Sequence, residues 1–158
     1  MRRYLVVANQ TLPGAELREE LHRRIEAGAC SVYLLVPNTS AANYPEPSAA
    51  AAAALQPSMA WWVTDYRRPA TDEEASAQAR QRLDQILADL RRLGVPAEGE
   101  LGSAQPLDAM EKAFQDHDFD EIIVATLPQP VSRWLRADLP RRIERRFGLP
   151  VTTIIAKR

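Results

Sequence analysis

Cysteine, histidine and glycine are all scarce in this sequence. The single cysteine, Cys30, excludes an internal disulfide and any cysteine-based zinc cage. Two histidines, His22 and His117, leave little with which to hold a transition metal. The distribution of glycine is more telling, because none of the six falls between Gly102 and Gly148. Neither G-x-x-x-x-G-K-[ST] nor G-x-G-x-x-G occurs, so a glycine-rich phosphate cradle is excluded in that stretch. A G-x-S-x-G nucleophile elbow is also missing, which disfavours a serine hydrolase of the α/β-hydrolase type. No apolar run approaches the ~20 residues that span a bilayer. Met1–Ala8 reads as a strand rather than a signal peptide, because its apolar stretch is too short. These absences predict a cytoplasmic protein that does not contact membranes.

What is present suits one globular domain: 158 residues, 46% hydrophobic and 26% charged. The net charge of -1 hides an asymmetry. Residues 1–127 carry 12 basic and 19 acidic side chains, a balance of -7, whereas residues 128–158 carry 8 basic and 2 acidic, a balance of +6. Such a split marks either an anion-binding surface or a solvated arginine-rich helix.

Tyr4–Ala8 is almost wholly apolar, the pattern of a strand covered on both faces. Pro13-Gly14 opens a helix with Leu17, Leu21 and Ile25 on one face and Gly28 at its end. Ser31–Pro37 is a second buried strand. From Asn38 to Ala70 the pattern breaks: four prolines, the Ala49–Ala54 run and the Trp61-Trp62 and Tyr66 cluster predict an insertion, with the tryptophans folded over the strand ends as a lid or against a partner. Thr71-Asp72-Glu73-Glu74 then caps a long helix whose apolar face runs from Ala75 through Leu83, Leu87 and Leu90 to Leu93. Val95–Leu101, interrupted by Pro96 and Gly99, reads as an edge strand. Leu107, Met110, Ala113 and Phe114 mark a third helix, and Asp120–Thr126 a strongly apolar strand. Asp138-Leu139-Pro140 reads as a carboxylate cap with proline in the first turn, and Pro150–Ala156 as the last strand.

This order predicts an α/β fold, a three-layer arrangement with a five-stranded, mostly parallel sheet and helices on both faces. Ligands in such folds sit beyond the carboxyl ends of the strands, where the strand order reverses. The candidate ligand-binding residues are therefore Ala8, Asn9, Val36, Thr126, Ser132 and Arg133. Catalytic groups are few. His22 and His117 read as solvent-exposed, Cys30 as a small buried thiol, and Asp116, Asp118, Asp120 and Glu121 as a solvated loop without the glycine of a calcium hand.

Leu5–Thr11 opening into an acidic helix, the long helix ending in Leu93-Gly94-Val95, the Gly102–Met110 turn, Asp120–Thr126 and Leu149–Ile155 together resemble the universal stress protein family. The resemblance spans nearly the whole chain outside residues 40–70 and implies the strand order 3-2-1-4-5 and an ATP site at the switch point. ATP-binding members place an aspartate at the end of the first strand, where this chain has Asn9. They follow the fourth strand with a G-x2-G-x9-G-(S/T) loop, where this chain runs from Ala125 to Asp138 without glycine. The expectation is thus a family-like domain without ATP or another cofactor. In the glycines' place, Trp134, Leu135 and Leu139 plug the region, or Arg133 and Arg136 accept a different anion by forked hydrogen bonds.

The reading is of a non-enzymatic domain acting through dimerisation and protein contacts; the alternative is a binder of a nucleotide or small anionic ligand at the ends of strands 1 and 4. The resemblance implies a homodimer through the last strand, with contacts at Val151, Thr153 and Ile155, and that strand has no interior charge or proline to block pairing. Nucleic acid is an unsuitable partner, because only Trp134 and Phe147 interleave the basic residues.

Overall fold

A computed structural model describes residues 1–8, 15–38, 70–103, 105–126 and 138–155. Five strands and four helices alternate along them: β1 (Arg2–Ala8), α1 (Ala15–Ala27), β2 (Cys30–Pro37), α2 (Asp72–Arg92), β3 (Ala97–Gly102), α3 (Pro106–Asp116), β4 (Glu121–Thr126), α4 (Leu139–Phe147) and β5 (Val151–Ile155). The strands form one sheet in the order β3-β2-β1-β4-β5, and all four pairings are parallel. The three-layer α/β expectation holds, with the order reversing between β1 and β4.

Alternation along the central strands divides the core in two. Tyr4, Val6, Ala8, Val32, Leu34, Val36, Ile123 and Ala125 pack against Leu17 and Leu21 of α1 and Ala79, Leu83, Leu87 and Leu90 of α2. Leu5, Val7, Leu35, Ile122 and Val124 face the other way, onto Ala109, Met110 and Ala113 of α3 and Leu139 and Ile143 of α4. A continuous apolar run is what a strand buried on both faces requires.

The long helix ends as its sequence dictates. The Glu74 N–H donates to Thr71 Oγ1 at 3.1 Å, and the Glu74 carboxylate accepts from Ala70 N at 2.8 Å. At the other end Val95 N donates to Leu90 O and Gly94 N to Arg91 O, with Gly94 at φ 81°. Leu93, expected on the apolar face, is instead 46% exposed, because the helix has already closed at Arg92.

Asp138 departs from expectation. It stands at the N-cap position of α4 but adopts a left-handed φ of 55° and makes no side-chain capping bond. An extended backbone is what lets a capping oxygen turn back onto the helix N–H groups, and a left-handed residue points its side chain elsewhere.

Candidate functional site

At the carboxyl end of the sheet, Ala8 lies in register with Ala125, and Thr126 continues β4 one residue further. Leu35 pairs with Val7, which brings Val36 level with Ala8. Ala8, Val36 and Thr126 are therefore together at the switch point, and all three are buried, Thr126 completely. The Ser76 hydroxyl donates to Asn38 Oδ1 at 2.9 Å and Asn38 N to Gly102 O at 3.0 Å, tying α2 and β3 to the end of β2. Asn9, Ser132, Arg133, Trp134 and Arg136 lie outside the described residues, as does most of the insertion with Trp61, Trp62 and Tyr66.

Among the described strands, the last is an edge. Val151 is half-buried against the α3–α4 side of the core, while Thr153 and Ile155 are exposed. Ile122 N donates to Pro150 O at 2.9 Å. The parallel register that follows aims the backbone N–H and C=O groups of Val151, Thr153 and Ile155 away from β4. Arg141, Arg142 and Arg145 are exposed on α4, and Arg146 pairs with Glu111 of α3.

The amino end of the sheet holds most of the polar chemistry among the described residues. Arg24 of α1 is its hub: its guanidinium pairs with Glu121, meets Glu20 at 3.0 Å and donates to Thr152 Oγ1 at 3.1 Å. Arg2 reaches Glu121 at 3.8 Å. Asp120 accepts from the Arg3 backbone N–H at 2.8 Å and from the Arg3 side chain at 3.3 Å, and Asp118 also faces Arg3. Those Arg3 hydrogen bonds hold the Asp120 carboxyl below the usual carboxylate range. Asp118, Asp120 and Glu121 are thus tied to arginines rather than merely solvated, because β1 delivers Arg2 and Arg3 beside them, whereas Asp116 is exposed as expected. Sequence spacing alone does not reveal a pairing between residues this far apart in the chain.

His117, expected in solvent, is half-buried with its ring centroid 4.6 Å from that of Tyr33. Phe119 lies 5.9 Å from Tyr33, and Phe114 and Phe147 extend the group of rings. Tyr33, His117 and Phe119 border an open cleft of about 690 Å³, lined also by Arg3, Tyr4, Arg91, Glu98 and Asp116. Burial, then the charge of Glu100 and a hydrogen bond to it, with Glu98 and Asp116 adding their charges, push the Tyr33 hydroxyl up to about 12. Burial alone raises the Cys30 thiol, which fits the inert role read from sequence. Among the described residues no cluster of histidine, cysteine and carboxylates is placed to hold a metal ion, and no described helix is long and apolar enough to cross a membrane.

The chain matches no protein-family model and no curated protein sequence.

Proposed function

We propose that this chain is a non-catalytic association domain of the universal stress protein kind, working as a homodimer through β5 and through protein contacts, without ATP. The observation that carries the proposal is the edge of β5, which no described strand covers. The strand presents the outward backbone groups of Val151, Thr153 and Ile155 beside the exposed Thr153 and Ile155 side chains. An apolar edge with no charge or proline favours pairing with a second strand. The strand order agrees with the one that the family resemblance implies.

Light scattering of the purified chain at micromolar concentration tests it. A dimer is the expected result, and Thr153→Pro is expected to yield monomer with unchanged secondary structure. Thr153 N–H points away from β4, so proline there removes an outward donor without breaking the existing ladder. A monomeric parent chain, or a dimer indifferent to the proline, defeats the proposal.

The absence of ATP rests on the loop chemistry: no glycine between Gly102 and Gly148, and Asn9 in place of an aspartate. Calorimetric titration with Mg-ATP is expected to show no binding at micromolar concentrations. Micromolar binding would favour the nucleotide reading instead, at the end where Ala8, Val36 and Thr126 converge.

A further inference from the structure

Tyr4 and Tyr33 lie on neighbouring strands at the same end of the sheet, because Leu5, the residue after Tyr4, pairs with Tyr33. They point to opposite faces, and the chain treats them differently. Over Tyr4 stand two guanidiniums, Arg24 with its Cζ 5.1 Å from the ring centroid and Arg2 at 5.9 Å. Glu20 and Glu121 hold Arg24 in that position. A cation over an electron-rich ring, anchored by carboxylates, is an attractive arrangement.

Tyr33 has the ring and the carboxylates without the cation. Glu98 is its register partner on β3, and Glu100 follows two residues later on the same face. Asp116 approaches from the end of α3 closely enough for its charge to act on the Tyr33 hydroxyl. Among the described residues no cation stands over Tyr33, and no lysine or arginine pairs with Glu98, Glu100 or Asp116. The two guanidiniums that line the cleft are already committed, Arg3 to Asp118 and Asp120 and Arg91 to the Ala97 carbonyl at 2.9 Å. The cleft is open and has the size of a small-molecule site.

We propose that this cleft binds an organic cation, a guanidinium or alkylammonium group supplied from outside the chain, over Tyr33 and His117 and between Glu98 and Asp116. The cation takes the place that Arg24 fills on the opposite face. Its source is either a free amine or the basic side chain of a partner polypeptide, and the chemistry is the same. The site is independent of the β5 edge, so dimerisation and cation binding fail or succeed separately.

Titration of the full chain with agmatine, followed by NMR of the Tyr33 and His117 rings, tests this. Saturable shifts are expected with a Kd of about 1 mM or below. The neutral n-butylurea and the anionic butyrate are expected to leave the rings unmoved. Asp116→Asn and Glu98→Gln, both at exposed positions, should each weaken agmatine about three- to tenfold while the fold persists. The tripeptide Gly-Arg-Gly is the second probe: tighter binding than agmatine assigns the site to a polypeptide side chain, and weaker binding assigns it to a free amine. Absence of saturation with agmatine at about 10 mM, equal binding of n-butylurea, or an Asp116→Asn/Glu98→Gln double variant that binds as before would overturn the proposal.

Discussion

Replacing Arg24 by alanine is expected to lower the stability of the fold by about 3 kcal/mol, read from urea unfolding at neutral pH. Arg24 is 17% exposed along its side chain, and its partners Glu20 and Glu121 are 14% and 12% exposed. Removal of the guanidinium takes the largely buried cation from both carboxylates and leaves Glu20 only the exposed Arg23 and Glu121 only the half-exposed Arg2 at 3.8 Å. It also uncovers the Tyr4 ring and drops the bond to Thr152 Oγ1. The partial exposure keeps the cost toward the low end for a buried pair. Arg24→Met, which restores the apolar stem over Tyr4, should recover part of the packing but none of the pairing. A double-mutant cycle with Glu121→Gln isolates the pair, and its coupling should exceed about 1 kcal/mol. A loss below about 1 kcal/mol in the single variant would mean that water, or Arg2 and Arg23, satisfies the carboxylates without Arg24. Because Arg24 links α1 to β4 and β5, the same variant should also loosen the strand through which dimerisation is proposed.

The parts of the fold that were legible in the sequence are those governed by local chemistry. Leu17 and Leu21 recur at helical spacing and are buried, and Thr71 with Glu74 caps α2 as the motif demands. Gly94 closes the same helix because a left-handed residue is required there. Pro96 and Gly99 marked β3 as an edge, which the strand order bears out.

What could not be read depends on contacts between distant residues. His117 looked like an ordinary helix-end residue, yet β2 places Tyr33 against it. The paired carboxylates before β4 looked solvated, yet β1 brings Arg2 and Arg3 to them. Asp138 had the residue type of a cap but not the backbone for it. The expected ligand end gathered Ala8, Val36 and Thr126 as strand topology requires, whereas the aromatic cleft lies at the opposite end, where no motif pointed. The one signal available was the density of carboxylates flanking Tyr33 and His117, spread over β3 and the end of α3.

The second large effect is expected at Gly99. Alanine there should destabilise the fold by about 3 kcal/mol in the same urea assay, near the upper end of ordinary overpacking costs. A Cβ on Gly99 would lie 2.5 Å from the Leu34 carbonyl oxygen, 3.0 Å from Leu83 Cδ1 and 3.1 Å from Leu34 Cβ. The nearest of these is the backbone of Leu34, a fully buried residue between β1 and β3, which has nowhere to retreat. Leu83, on the inner face of α2, is itself almost fully buried, so the clash is not relieved from that side either. The yielding partner must then be β3, displaced outward from β2 along its free edge. Gly28 supplies the control, because a Cβ there meets nothing within 4 Å and its backbone is not left-handed. Gly28→Ala should therefore be neutral or stabilising by up to about 1 kcal/mol. If Gly99→Ala matched Gly28→Ala, close packing of β3 on β2 would not be what glycine serves there. The displacement also carries a functional consequence, since β3 positions Glu98 and Glu100 beside Tyr33. Variants at Gly99 that still fold should thus weaken agmatine binding along with stability, whereas Gly28→Ala should leave it unchanged.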